Sequence, residues 1–157
     1  MRSGRRRASV SVFAGIAMAV GIGSWAWACT QTSSHSGNFR FCRANGQNCT
    51  TLNHLTNGGT YGQGTQYSAQ ADGLSSSISY DVRSVAGDHS ANSDNTCENT
   101  GTNLTGGSGI LTDASGAYGP VTITLPGVTG VRTFCTRPSS LPTQQALGAN
   151  HLMFTLV

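Results

Sequence analysis

The sequence has no lysine, and only 10% of its residues are charged. Four of its nine basic residues stand within the first seven positions, so residues 29–157 carry five arginines against six acids and a net charge of −1. Proteins that bind nucleic acid concentrate Lys and Arg on one surface, because each phosphate contact displaces counterions. The scattered and nearly balanced charges therefore exclude nucleic acid as a partner.

Motifs that carry common chemistry are also missing. The four histidines are dispersed, and no His-x-x-x-His or Cys-x-x-Cys spacing occurs, which argues against a zinc site. Residues 87–91, Gly-Asp-His-Ser-Ala, are not a Gly-x-Ser-x-Gly elbow, and His89 and Ser90 point apart on an extended chain. A small secreted hydrolase is thus the third of three functional hypotheses, with no catalytic residue nominated.

No apolar run reaches the ~20 residues that a membrane-spanning helix needs. The longest, Val10–Ile22, is interrupted by glycine, follows Arg2–Arg7 and precedes Ala26-Trp27-Ala28, which is the pattern of a cleavable signal peptide. The pattern predicts a signal peptide over residues 1–28 and one secreted β-domain over residues 29–157, without a membrane span. The arginine pair in the leader leaves the general and twin-arginine export routes both open.

Cys29 follows the predicted cleavage point directly, and two interpretations compete for it. As the lipid acceptor of a bacterial lipoprotein, it would anchor the chain to the outer face of the cytoplasmic membrane and leave four cysteines to pair. After ordinary cleavage, five cysteines remain and one is unpaired or bonded between chains. The predicted location is therefore extracellular, either free or lipid-anchored.

An exported chain meets an oxidising compartment, so its cysteines are expected to form disulfides. Asn45-Gly46 is a strong hairpin signal, and counting outward from it places Cys42 opposite Cys49. Opposed residues on antiparallel strands lie within the range that a disulfide spans. Elimination then pairs Cys97 with Cys135, while two other connectivities stay open.

Short segments of alternating apolar and polar residues recur along the chain, and none shows sustained helical periodicity. The clearest are residues 78–83, 121–125 and 152–156, and weaker ones are 39–43, 49–55, 65–70, 109–112 and 131–136. About eight short strands predict an all-β fold, a small antiparallel β-sandwich or Greek-key barrel stabilised by disulfides. Residues 84–109, poor in apolar side chains, are predicted to be a surface excursion held at Cys97.

Carboxylate and amide oxygens are concentrated in one part of that excursion, between residues 88 and 98. The candidates for a weak calcium site there are Asp88, Asn92, Asp94 and Glu98, because calcium takes several oxygen ligands. A plain polar loop is the alternative interpretation. No other cofactor is predicted.

The stretch Ala71-Asp72-Gly73-Leu74-Ser75-Ser76, with Phe39-Arg40-Phe41-Cys42 before it and a strand over 77–84 after it, carries a family resemblance. It resembles the calcium loop of βγ-crystallin-like Greek-key domains, and the same stretch in small secreted bacterial proteins of the crystallin-like peptidase-inhibitor class. The resemblance covers residues 39–84. It implies a Greek-key fold, Asp72 as a calcium ligand, although Ala71 stands at the first acidic position, and inhibition of peptidases.

Two tyrosines, Tyr61 and Tyr67, stand among glycines and amides in residues 59–67. Flat rings beside amide donors suit sugars, so the leading hypothesis is a non-catalytic secreted or cell-surface binding module for a cell-wall polymer or polysaccharide. A glycine-rich hairpin with two structural tyrosines is the alternative interpretation. The second functional hypothesis is an inhibitor of an extracellular peptidase, with residues 132–142 as its exposed loop.

Overall fold

Most of the strands predicted from alternation are present and form two sheets. In a computed structural model of the chain, the described residues are 37–43, 54–91, 93–141 and 148–157. The predicted leader, Cys29, Cys49 and Asn92 lie outside these ranges. The predictions that concern them therefore remain predictions.

The first sheet has three antiparallel strands in the order β1-β3-β7. These are β1 (Asn38–Arg43), β3 (Gln66–Asp72) and β7 (Tyr118–Thr124). In the central strand, Ala69 stands opposite Phe41 on one side and Val121 on the other. Small side chains on β3 therefore leave room for the aromatic side chains of β1 beside them.

The second sheet has six strands in the order β2-β9-β8-β4-β5, and β6 also pairs with β4. The strands are β2 (Thr60–Tyr61), β4 (Ser79–Ala86), β5 (Thr102–Asn103), β6 (Ile110–Leu111), β8 (Gly130–Pro138) and β9 (Leu152–Leu156). A five-residue helix, α1 (Thr96–Thr100), precedes β5. All pairs are antiparallel except the two-residue contact of β2 with β9, so the expected antiparallel architecture has one short parallel exception.

Side chains from both sheets meet in one hydrophobic core. The Phe41 ring of β1 lies edge-on to Phe134 of β8, with ring centroids 5.4 Å apart, and 5.8 Å from Phe154 of β9. All three side chains are fully buried. Burying each one stabilises the fold by about 1.5–3 kcal/mol, and edge-to-face geometry adds to this. The predicted all-β fold is confirmed, with its two sheets packed as a sandwich.

The other face of β4 and β8 is covered by residues 87–91 and 93–101, here called the cover segment. The Thr133 hydroxyl of β8 donates to the carbonyl of Gly87 at 2.9 Å and accepts from the His89 amide at 2.7 Å. A disulfide joins Cys97 of α1 to Cys135 of β8, the pair that elimination selected. Cys97 and Glu98 are both 0% exposed, so this part of the chain, although held at Cys97 as predicted, is not a surface excursion throughout.

The backbone around Cys42 differs from the expected hairpin. Cys42 pairs with Ser68 of β3 on one side and forms an antiparallel bridge with His54 on the other. The Leu55 amide donates to the Phe41 carbonyl at 2.7 Å in the same register. The register that placed Cys49 opposite Cys42 is therefore wrong, because the strand partner lies further along the chain. Cys42 is nevertheless disulfide-bonded.

Within the described ranges, no helix combines the length and apolar character that a membrane crossing requires.

Candidate ligand-binding cavity

A cavity of about 430 Å³ lies where β4 and β7 end and β8 begins. Ligand sites in proteins usually enclose about 300–1,000 Å³ and combine apolar walls with a few polar groups. Here the polar wall includes Ser84, Thr102, Asn103, Thr105 and Thr124. The cavity therefore has the size and the hydrogen-bonding groups that a small organic ligand needs.

Arg132 supplies a charge on the cavity lining. Side chains alternate along a strand, so Arg132 shares the core-facing side of β8 with Phe134. The Arg132 Nη2 donates to the Ser84 hydroxyl at 3.2 Å, and burial lowers the pKa of the half-buried guanidinium. No carboxylate of the described residues lies within ion-pair distance of it. A cation thus occupies a core-facing strand position without a counter-ion from the described part of the chain.

The apolar wall comes mainly from the segments next to β5 and β7. Leu104 and Leu125 are buried, at 5% and 2% exposure, while Val128 is 45% exposed. These side chains and Pro126 give the cavity a continuous aliphatic surface next to the polar one. Because no aromatic residue is among the described lining residues, the ring stacking that sugars prefer is not offered there.

Backbone contacts fix the walls of the cavity relative to each other. The Thr124 amide donates to the Thr105 carbonyl at 3.0 Å, and the Leu125 amide donates to the Thr65 carbonyl at 3.0 Å. Gly106 has a φ of +82°, and a Cβ there would overlap the Thr122 carbonyl. Only glycine allows this turn to approach β7 so closely. The lining is therefore held by backbone contacts rather than by side chains alone.

Tyr61 and Tyr67, the predicted ligand-binding residues, are half-buried and pack on the core. The Tyr61 ring centroid lies 5.0 Å from that of Phe154 and 6.3 Å from that of Tyr67. The Tyr61 hydroxyl accepts a hydrogen bond from the Thr56 amide at 2.7 Å. The structure brings the two tyrosines together. Their contacts with the core are those expected if the tyrosines are structural, which was the alternative interpretation of this segment. Their segment reaches the cavity through Gly64.

The predicted calcium ligands are dispersed among partners of their own. Asp72 forms an ion pair with Arg40 that joins β3 to β1, and Asp88 accepts hydrogen bonds from the amide and hydroxyl of Ser90. Asp94 contacts His89, with 2.9 Å between Oδ2 and Nδ1. No group of three or more potential metal ligands occurs among the described residues. The calcium site stays a prediction that no geometry of the described chain supports.

Hydrogen bonds from the Thr96 side chain, and then from the Thr96 amide and from His89, lower the pKa of Asp94 to about 2, against a smaller opposing effect of burial. This His89–Asp94 pair could orient an imidazole, as in acid–base catalysis. The neighbouring Ser90 hydroxyl instead donates to Asp88 at 2.6 Å. The described residues thus do not combine a nucleophile with the pair.

The side chain of Glu98, which belongs to the cover segment, is buried. Its Oε1 lies 2.8 Å from Nε2 of His151, and the side chains of both residues are 0% exposed. The Glu98 carbonyl accepts hydrogen bonds from Arg83 and, at 3.1 Å, from Arg137. These groups join α1 to β4, β8 and the segment before β9. The contacts of Glu98 are therefore those of a structural residue.

The loop expected of a peptidase inhibitor is also absent from its predicted place. Residues 132–138 belong to β8, and Thr133 to Pro138 are buried between neighbouring strands. Describing this segment as an exposed loop is therefore wrong. The alternating pattern that assigned a strand to residues 131–136 was the better guide.

Sequence reasoning missed Arg132 as a site residue. The available signal was its place in an alternating strand, two residues before Phe134, where a core-facing side chain is expected. No protein family, curated protein or solved structure matches this chain.

Proposed function

We propose that the protein is a non-catalytic, exported binding module whose ligand occupies the cavity around Arg132. The observation that carries this proposal is a half-buried cation, without a carboxylate partner among the described residues, on the wall of a 430 Å³ cavity. Buried charges in proteins are usually paired, since leaving water is costly for an ion. A ligand that occupies the cavity would supply the missing partner.

Export is supported by the signal-peptide pattern of residues 1–28 and by the disulfide between Cys97 and Cys135. Disulfides persist in oxidising compartments and are rare in the cytosol. A free ligand, or the end group of a cell-wall polymer or polysaccharide, is the partner that a cavity of this kind admits.

The proposal can be tested by nuclear magnetic resonance of the exported protein. Fragments to be added are neutral sugars, sugar acids, acylated amino acids and their amides, with the amide signals of Thr102, Thr105 and Val128 as reporters. We expect at least one fragment to shift these signals in a saturable manner. If no fragment shifts them, the cavity is not a ligand site and the proposal fails.

A matched pair of variants locates the binding. Gly127 lines the cavity, and a Cβ added there meets no atom within 4 Å, so the backbone accepts a side chain and Gly127→Trp should place its ring in the cavity. Val157→Trp places the same ring at a position that is 60% exposed and is not among the lining residues. We expect Gly127→Trp to abolish the shifts and Val157→Trp to leave them unchanged. Equal binding by both variants would place the ligand elsewhere.

A further inference from the structure

We propose that the ligand is an aliphatic carboxylate, bound through its carboxylate group by Arg132 and through its aliphatic part by Leu104, Leu125 and Val128. This inference rests on the proposed function and adds the chemical class of the ligand. The arginines of the described chain differ in which protein groups face each guanidinium.

The other inward arginines differ from Arg132 in the groups of the protein that face them. Arg137 donates to three backbone carbonyls, those of Pro138, Glu98 and Leu141. Arg83 donates to the Glu98 carbonyl, and its Nε is also without a hydrogen-bond partner among the described residues, but the carboxylates of Asp81 and Glu98 act on its charge. For Arg132 the only hydrogen bond to a described residue is the one to Ser84, and its Nε is buried without a partner among the described residues. Arg132 thus combines an unpartnered Nε donor with a guanidinium charge that no carboxylate of the described residues offsets.

A carboxylate is the anion that fits these remaining donors. A guanidinium group presents its donors in a planar fork that matches the two oxygens of a carboxylate, and such charge-assisted bonds are strong where water is displaced. The Ser84 hydroxyl, on the neighbouring strand and 2% exposed, orients the fork. The described lining contains no acidic residue that would repel an anion.

The rest of the lining narrows the chemistry further. Leucine, valine and proline side chains present aliphatic surface, and no aromatic ring among the described lining residues offers a stacking platform. Thr102, Asn103 and Thr105 provide hydroxyl and amide groups for a polar substituent next to the carboxylate. A short branched aliphatic chain with a terminal carboxylate and one amide matches the three parts of the lining, which are Arg132, the aliphatic side chains and the hydroxyl and amide groups. The C-terminal residue of a peptide and a free acyl amino acid share this chemistry.

The test compares two ligands that differ only in whether they end in a carboxylate or in a neutral carboxamide. N-acetyl-leucine and N-acetyl-leucinamide are titrated at pH 7 into the isotopically labelled exported protein, with the amide signals of Thr102, Thr105 and Val128 as readout. We expect the acid to bind at least tenfold more tightly than the amide. Equal affinities would overturn the carboxylate inference and leave the proposed binding function intact. If neither compound shifts the signals, the carboxylate inference is overturned, and the fragment panel decides separately whether the proposed binding function fails.

Variants assign the charge preference to Arg132. Arg132→Gln should remove the preference, so that acid and amide bind alike, and Arg132→Lys should keep part of it because the charge remains without the fork. Arg43→Gln, which removes an exposed arginine of β1 outside the described lining, should leave both affinities unchanged. A preference retained in Arg132→Gln contradicts the assignment. The comparison on the unaltered protein needs no variant and stands even where a variant folds poorly.

The two sources of the carboxylate are separated by a further pair of probes. If the natural ligand is a peptide C-terminus, N-acetyl-Gly-Gly-Leu should bind more tightly than 4-methylpentanoate, because its additional amides reach the polar wall. If a small free acid is the ligand, 4-methylpentanoate should bind at least as tightly. Either result supports a carboxylate site, and binding of neither compound by the unaltered protein overturns it.

Discussion

Glu98 and Arg132 both place a charged group below the surface, and the protein surrounds them in different ways. Glu98 is 0% exposed, with its carboxylate against His151 and its carbonyl accepting from Arg83 and Arg137. Arg132 is half-buried beside a cavity, with Ser84 as its hydrogen-bond partner in the described chain. Both lie against the sheet formed by β4 and β8, on opposite faces of it.

This difference separates a structural role from a binding role. A buried charge whose partners come from the protein stabilises one arrangement of the chain, and removing a partner leaves a polar group without compensation. A charge without a protein partner instead contributes to binding when a ligand arrives. We therefore expect substitutions that remove buried contacts of the cover segment to reduce stability. Substitutions at the cavity should alter binding with little effect on stability.

The largest loss should follow removal of the disulfide. Replacing Cys97 and Cys135 by alanine opens a loop with a sequence separation of 38 residues, for which chain entropy gives about 4 kcal/mol. The free energy of unfolding in urea measures the effect. A loss under about 1 kcal/mol would show that noncovalent contacts alone hold the cover segment on β8.

A somewhat smaller loss is expected for Glu98→Ala. The change removes the buried carboxylate that contacts His151, while the Glu98 backbone carbonyl that accepts from Arg83 and Arg137 remains. Breaking a buried pair costs roughly 3 kcal/mol. Asp88→Asn, at an exposed carboxylate in the same segment, is the matched control and should leave the free energy of unfolding nearly unchanged. Equal effects of the two variants would remove the distinction between buried and exposed charge.

Asp94 should give the cover segment a modest dependence on pH. Its pKa falls from an ordinary 3.8 to about 2 in the folded protein, chiefly through the Thr96 side chain. Its contribution is therefore complete above about pH 4 and is lost as the pH falls towards 2. Because the group is partly exposed, the effect should not exceed about 1 kcal/mol. Urea unfolding of Asp94→Asn should differ from the parent at pH 5 and match it near pH 2, and a constant difference would contradict this linkage.

The smallest change in stability is expected at the cavity. Arg132→Met keeps the length of the side chain and removes a cation that has no counter-ion in the described chain, so stability should stay within about 0.5 kcal/mol or rise. Urea unfolding without ligand measures this. A loss comparable to that of Glu98→Ala would mean that Arg132 stabilises the fold, and the contrast between the two sites would disappear.

Alternation along the chain was sufficient to locate the main strands. Tyr80 and Val82, Ile123 and Leu125, and Phe154 and Leu156 are buried as their patterns predicted. Side chains on successive residues of a strand point to opposite faces, so this information is local. Ile78 is an exception at 36% exposure, because β4 begins one residue later.

The candidate site was less accessible to sequence reasoning. Tyr61 and Tyr67 have the composition of a sugar-binding stretch, yet both pack against the core. The Tyr61 ring lies against Phe154, which is distant in sequence, and the Tyr67 ring lies against Tyr61. Arg132 stands in a segment whose strand pattern was recognised, but the sequence does not show which residues surround it. The low apolar content of residues 84–109 predicted exposure, whereas Cys97 and Glu98 are buried by a disulfide and a histidine from distant segments.

The sequence by itself determined the charge balance that argues against nucleic-acid binding and the period-two pattern that makes the chain a β-sheet protein. Only the tertiary structure decided that β1 bridges to His54, that Glu98 is buried against His151, and that Arg132 opens onto a cavity. The reason is physical. Composition and alternation depend on neighbouring residues, whereas burial and charge compensation depend on which distant strands pack together.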